Sequence, residues 1–204
     1  FNRLPIRYSY NEDYYQQTQY QGIPKNGYKS IFINLTKNKN IRVKLKEKYS
    51  LKYKIKPKYL TIYTGPLDSL LNYKFGKLEW RSLSFKKEVK RTRDFQGTSV
   101  INYPDLKNKF TRVHEPKHLH PERKSFNSNQ TLVIKEYSIK NDNEPYYPIN
   151  DEANRIKHRK YKLEASKIKK FEFGGRLADY AYYDMDMTIS AALKKFEQIK
   201  KKIK

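Results

Sequence analysis

A chain of 204 residues with no cysteine, 19 tyrosines and a formal net charge of +24 can bury a sizeable core, but cannot form disulfides, a thiol nucleophile or a cysteine-ligated metal site. Its hydrophobic fraction is low at 37%, yet the aromatic rings add apolar surface, so a folded protein is expected rather than a disordered one. No apolar run approaches a membrane span and the first residues lack a signal-peptide layout, while lysines spread over every segment read as solvated surface more readily than as a nucleic-acid groove.

Residues 1–20 are polar and tyrosine-rich, with Arg3 and Arg7 and little apolar periodicity, and read as a loop leading to a strand. Turn chemistry from Gln21 to Tyr28 precedes a helix predicted around Ser30 to Thr36. Ile41-Arg-Val43-Lys-Leu45 alternates strictly, which predicts a half-buried strand. Leu60 to Thr64 is a second short strand, stopped by Gly65-Pro66, with a short helix expected at Leu67 to Leu71. Strand-like runs at Trp80 to Phe85, Thr98 to Tyr103 and Leu132 to Tyr137, separated by Asn, Asp, Gly and Pro clusters, predict an antiparallel sheet. Glu144-Pro-Tyr146-Tyr147-Pro148-Ile149 is too proline-rich for a helix or a central strand. Asn150 is a candidate cap for a helix from Asp151 to about Lys167. The chain then closes with a strand at Phe171 to Phe173, the turn Gly174-Gly175-Arg176, and a helix whose apolar positions recur from Ile189. Asp184 and Asp186 therefore fall near a helix N-terminus, where free N–H groups can hold a polar ring edge or an anion.

Two constellations stand out. His114, His118 and His120 sit with Glu115 and Glu122 in nine residues, but the spacing matches no standard zinc motif, so hydrogen-bonded structural histidines are expected and no metal site. Arg3, Arg7, Arg81, Arg112 and Arg176 lie among tyrosines and prolines, and a planar guanidinium beside phenolic donors suits phosphate oxygens. An anionic, diphosphate-bearing ligand follows as an expectation. No dinucleotide fingerprint, P-loop, nucleophile elbow or metalloprotease motif is present in these residues.

Several stretches in register resemble the C-terminal half of the UDP-galactopyranose mutases: Arg3-Leu-Pro-Ile-Arg7, Tyr20-Gln-Gly-Ile-Pro24, Tyr63-Thr-Gly-Pro-Leu-Asp68, Gly76-Lys-Leu-Glu-Trp80-Arg81, Asp94-Phe-Gln-Gly97, Phe110-Thr-Arg112-Val-His114-Glu115, Glu144-Pro-Tyr-Tyr-Pro-Ile149 and Gly174-Gly-Arg-Leu-Ala-Asp-Tyr-Ala-Tyr-Tyr-Asp-Met185. The resemblance implies a flavoenzyme, an isomerase that uses reduced FAD to interconvert UDP-galactopyranose and UDP-galactofuranose for galactofuranose-containing cell-wall glycans without net redox change. It implies a mixed α+β fold: returning segments of a Rossmann-like FAD domain at 21–74 and 148–204, an antiparallel substrate sheet at 75–147, and a mobile substrate loop at 1–20.

By motif match, Arg3 resembles a mobile arginine over the substrate diphosphate and Arg112 its fixed counterpart. Tyr14, Tyr146 or Tyr147, and Tyr182 resemble the phosphate-binding tyrosines, and Asn102 a substrate-contacting asparagine. Gly175, Arg176, Asp184 and Met185 resemble the flavin side, with Val43 and Gly65 as further FAD contacts. The family's N-terminal part, which carries the FAD fingerprint, has no counterpart here. The chain is thus expected to be a piece of a longer cytoplasmic protein, inactive alone, with UDP-galactose and the missing FAD-binding half as partners, homo-oligomeric when complete, and with neither nucleic acid nor a membrane span. Other readings of the same residues are an amine-oxidase-like flavoprotein and a non-enzymatic basic module that binds nucleic acid.

Overall fold

In the computed structural model, which describes residues 8–10, 18–53, 56–140 and 144–203, helix and strand segments at the two ends flank a run of antiparallel strands. The strands form two sheets among the described residues. The larger comprises β2 (Trp80–Lys90), β3 (Val100–Asn102), β4 (Arg112–His114), β5 (Thr131–Ile139) and β6 (Tyr147–Pro148), in the spatial order β3-β4-β5-β2-β6. Pro148 lies on the edge strand, where a missing N–H costs no ladder bond. The smaller sheet pairs β1 (Thr61–Tyr63) in parallel with β7 (Phe171–Phe173).

Strands β2 and β5 run longer than their apolar alternation predicts, pairing from Ser82↔Ile139 to Lys90↔Thr131. Lys86, Glu88 and Lys90 break the hydrophobic pattern but not the ladder. They alternate onto one face, where Glu88 lies 3.1 Å from Lys86 and 2.8 Å from Lys90. These two cations hold the half-buried Glu88 carboxyl down at about 2.

The core joins the two ends of the chain. Leu67 and Leu70 of α2 (Leu67–Leu70) meet Trp80, Tyr161 and Ala165 of α3 (Glu152–Ser166), and Tyr180 from the turn before the last helix. Each buried polar group here has a partner, as burial requires. The Tyr161 hydroxyl donates to the Gly76 carbonyl and accepts from the Phe75 N–H, both at 2.8 Å. Asp68 accepts the Leu78 N–H at 2.9 Å, which fixes α2 to the start of β2. The Tyr180 ring meets Trp80 edge-on with centroids 4.9 Å apart, and its hydroxyl lies 2.6 Å from the Glu79 carbonyl and 2.9 Å from that of Ile149.

Helix α3 is capped by Asp151, whose carboxylate accepts the Asn154 N–H at 2.8 Å, and not by the expected Asn150. Asn154 is fully buried and accepts the Glu79 N–H at 3.2 Å. That bond sets the helical phase, so the position three residues before Asn154 becomes the cap. Asn150 instead offers its carbonyl to Arg155.

The alternating stretch Ile41 to Leu45 is not a strand; it is irregular and exposed throughout. A ladder needs a neighbouring strand, and this stretch has none among the described residues. Helix α1 (Tyr28–Thr36) buries no residue, although Phe32 and Leu35 are on its surface. The last helix, α4 (Met185–Ile203), is tied to the small sheet by Lys195 and Lys202, both paired with Glu172, and buries Ile199, while Ile189, Leu193 and Phe196 stay exposed.

Tyr180→Phe should leave two inward-facing carbonyls without their shared hydroxyl, and a lost buried hydrogen bond costs about 1–3 kcal/mol. Denaturant unfolding is expected to show a lower midpoint with an unchanged slope; an unchanged midpoint would show that water replaces the hydroxyl without penalty.

Candidate functional site

Cross-strand partners in an antiparallel sheet point to the same face. The register pairs Asn102 with Arg112, Arg112 with Glu136, and Glu136 with Phe85. A single row therefore crosses four strands and carries an amide, a guanidinium, a carboxylate and a ring. The opposite face takes Val113, Val133 and Trp80, all buried.

Within the row, Arg112 Nε donates to Asn102 Oδ1 at 3.0 Å, and its Nη1 lies 3.6 Å from Glu136 Oε1. Glu136 is buried, and its other oxygen is 3.0 Å from His114 Nε2. The guanidinium is held from two sides, while nearly half of the side chain faces solvent. An arginine held this way presents its remaining N–H groups in a fixed direction, which suits an anion with several oxygens.

On the edge strand, Tyr147 is in register with Arg81 and stacks on Tyr182, with ring centroids 5.3 Å apart and planes 19° from parallel. The Arg176 guanidinium carbon is 5.3 Å from each of those ring centroids. Its Nη1 donates to the Tyr183 carbonyl at 2.9 Å, and its Nη2 to the Tyr146 carbonyl. Arg176 thus fastens the edge of the large sheet to the segment before α4. Burial pushes the Tyr147 hydroxyl pKa up, Tyr182 and Glu136 push it further, and the charges of Arg112 and Arg176 pull it back. The phenol stays protonated at neutral pH and so keeps a proton to donate. The charges that act on it join the Arg112 row and the Arg176 turn into one locality.

The turn itself follows the carboxyl ends of the β1–β7 pair, the end at which open α/β sheets receive ligands. Gly175 has φ +87°, a conformation that side-chain-bearing residues rarely adopt. A Cβ on Gly65 would sit 2.5 Å from the Tyr63 hydroxyl, so Tyr63 itself accounts for that glycine. Asp184 immediately precedes α4, and its carbonyl accepts from the N–H and the hydroxyl of Thr188, each at 2.9 Å. Met185 opens the helix and is exposed. Between the turn and α4 lies an apolar cavity of about 430 Å³, bordered by Ile62, Thr64, Gly175, Ala192 and Phe196.

The structure brings together Asn102, Arg112, Tyr147, Tyr182 and Arg176, with Tyr146 contributing its carbonyl and its ring 6.5 Å from Phe85. Gly175, Asp184 and Met185 lie on the adjoining turn and helix start. Val43 sits on the irregular exposed segment described above, not on a strand. Arg3 and Tyr14 fall outside the described residues. The histidines do not converge: His114 faces Glu136 and His120 faces Glu122, each at 3.0 Å. Sequence reasoning missed Glu136 and Phe85. The only sign of Glu136 was an acid in the strand run Leu132 to Tyr137, and its importance lies in a register that no local pattern encodes.

A family model described as UDP-galactopyranose mutase matches residues 1–182. A UDP-galactopyranose mutase of Mycoplasma genitalium is 36% identical, covering 97% of this chain and 52% of its own length. A UDP-galactopyranose mutase of Mycoplasma pneumoniae is 33% identical with 97% and 52% covered, and a dTDP-fucopyranose mutase of Escherichia coli is 34% identical with 94% and 52% covered. The chain therefore spans about half the length of the curated relatives it matches.

Glu136→Gln removes the charge that Arg112 and His114 share and keeps the side chain's shape. The expected result is a loss of about 1–3 kcal/mol in unfolding free energy, the scale of a buried hydrogen-bonded charge. Equal denaturant midpoints for the two proteins would show that the carboxylate is not holding the row.

Proposed function

This chain belongs to the UDP-galactopyranose mutase family, and from that premise we propose that it supplies the diphosphate-binding side of a flavin-dependent isomerase that interconverts UDP-galactopyranose and UDP-galactofuranose. The observation that carries this reading is the convergence of the Asn102–Arg112–Glu136 row with the stacked Tyr147 and Tyr182 beside Arg176. Breaking a bond between a sugar's anomeric carbon and a diphosphate leaves negative charge on the departing phosphate. Fixed cations and phenolic donors lower the cost of that charge because they need no reorganisation when it develops.

Arg112 serves as the fixed cation, oriented by Asn102 and Glu136. Tyr147, Tyr182 and Tyr14 act as donors to the phosphate oxygens, with Tyr146 shaping the same wall. Arg3 is the mobile cation that completes the pair. Gly175, Arg176, Asp184 and Met185 would line the cofactor, with Gly65 and Val43 as further contacts. The residues fit one edge of FAD: a glycine turn at positive φ, free backbone at a helix start, and an exposed methionine. Bound there, reduced FAD supplies nucleophilic electron density for the anomeric carbon. In this reading the enzyme is cytoplasmic and homo-oligomeric and provides galactofuranose for cell-wall polysaccharide. Among the described residues, no helix is long and apolar enough to cross a membrane.

Completion by a second half of the protein, carrying the FAD fingerprint, is part of the proposal. Parallel sheets are ordinarily covered on both faces, yet Ile62 in the two-stranded parallel sheet is 56% exposed. The exposed stripe on α4 and the apolar surface of α1 are of the same kind. Relatives about twice as long have the chain length to cover these surfaces. The E. coli relative's name keeps dTDP-sugars in view as substrates, so both nucleotides belong in the assay.

Co-expressed with the N-terminal half of the Mycoplasma genitalium relative, the chain should retain flavin through dialysis, and the flavin spectrum should respond to UDP. The chain alone should retain none. A colourless pair would sink the cofactor assignment, and flavin held equally by the lone chain would sink the two-half assignment. In the flavin-bearing pair, Arg112→Ala should weaken UDP binding by about 1.5–3 kcal/mol, the contribution of a charge-assisted hydrogen bond. Unchanged affinity would remove Arg112 from the site.

A further inference from the structure

The loop between β2 and β3 is tied to the segment after β4 by a cluster that the proposed chemistry does not use. Glu115, fully buried, accepts the Gln96 N–H at 2.9 Å through Oε2 and the Thr131 hydroxyl at 2.7 Å through Oε1. Asp94 Oδ1 accepts the Gly97 N–H at 2.7 Å. His118 Nε2 points between these carboxylates, 3.4 Å from Asp94 Oδ1 and 3.4 Å from Glu115 Oε2. One ligand atom from each residue lies within 4.8 Å of the others.

Two features distinguish this cluster from an ordinary hydrogen-bonded knot. Among the described residues His118 Nε2 is a buried atom that makes no hydrogen bond, its polar neighbours being the two carboxylates at 3.4 Å, and Gln96 Oε1 in the same loop is also buried without a hydrogen bond. Buried polar atoms are ordinarily satisfied, and an exception points to an ion or water that the protein does not itself supply. The second feature is spacing. Ligands about 2.0–2.1 Å from zinc in a tetrahedron stand about 3.3–3.4 Å apart. The 3.4 Å separations around His118 are long for hydrogen bonds and match that edge.

We propose that Asp94, Glu115 and His118 form a divalent-cation site, with zinc the best-matched ion, that pins the β2–β3 loop to the turn following β4. The donor set of one imidazole nitrogen and two carboxylate oxygens suits zinc. The half-exposed Asp94 side leaves a coordination position open to water. Backbone N–H groups hold both carboxylates in place, that of Gly97 at 2.7 Å from Asp94 and those of Phe95 and Gln96 at 3.2 and 2.9 Å from Glu115. The Lys117 ammonium is engaged by the carbonyls of Arg93 and Phe126. The site lies at the end of the sheet where Lys90 pairs with Thr131, away from the Arg81–Tyr147 pairing. Its role is to brace the sheet, and it stands independently of the mutase reading.

The test is zinc binding by the chelator-stripped chain, followed by calorimetry and metal analysis, with cobalt(II) as a spectroscopic probe of tetrahedral geometry. One zinc per chain, a raised unfolding temperature and visible cobalt bands are expected. His118→Gln and the surface variant Asp94→Asn should each weaken zinc affinity by at least about 100-fold, and Thr131→Val, which removes only the hydroxyl orienting Glu115, by about 10–100-fold. His120→Gln should leave affinity unchanged. Failure of the native chain to take up zinc overturns the proposal. Zinc held equally by the native chain, His118→Gln and Asp94→Asn overturns it as well, since the ion would then sit elsewhere.

Discussion

The Tyr180 hydroxyl, placed between the carbonyls of Glu79 and Ile149, is the contact on which the arrangement of this chain depends. Glu79 immediately precedes β2 and Ile149 immediately follows β6, so one phenol fixes where the large sheet begins and where its edge strand ends. The same residue follows the Gly174–Arg176 turn and precedes Tyr182. Its backbone is in the left-handed region at φ +51°, a strained conformation for a ring-bearing residue. The strain is offset by burial against Trp80 and by a hydroxyl matched to two acceptors. Burial keeps the phenol protonated far above neutral pH, with the charges of Asp151, Glu79 and Asp68 acting in the same direction.

From that anchor the site is assembled by backbone geometry. Arg176 donates to the carbonyls of Tyr146 and Tyr183 and therefore spans the gap between edge strand and terminal turn. Its guanidinium spends donors on fixed carbonyls and offers its face to two aromatic rings, an arrangement that a lysine could not reproduce. Arg112 is held differently, by side chains brought opposite it through sheet register. One arginine thus works as a fastener and the other as a directed cation. A charge of +24 does not distinguish them, since most lysines are solvated and play neither part.

The exposed apolar surfaces follow from the same architecture. The parallel pair β1–β7 leaves Ile62 half-exposed at the cavity beside α4, and α1 buries none of its own residues among the described part of the chain. A core concentrated at the junction of α2, α3 and the terminal turn leaves α1 and α4 with apolar faces that water contacts unfavourably. In the proposed reading a second half of the protein covers those faces.

The sequence by itself determined the elements whose signals are local. The short strands at Leu60 to Thr64 and Phe171 to Phe173, the helices at Ser30 to Thr36 and Asp151 to Lys167, and the β-rich middle all follow from periodicity and turn chemistry, and the mixed α+β fold follows from their order. The motif resemblance likewise identified the family and named Asn102, Arg112, Tyr147, Tyr182 and Arg176 before any of them had a position. Tertiary structure alone decided what depends on partners distant in the chain. The alternation of Ile41 to Leu45 is that of a strand, but pairing is a property of two strands and none is beside it among the described residues. Asp151 caps α3 because Asn154 must reach Glu79, 75 residues earlier. Glu136 meets Arg112, 24 residues away, only through the register of β4 and β5, and His118 meets Asp94 only because a loop folds back over the sheet. Local propensity is written in neighbouring residues, whereas register, burial and the pairing of charges are settled by the folded chain as a whole.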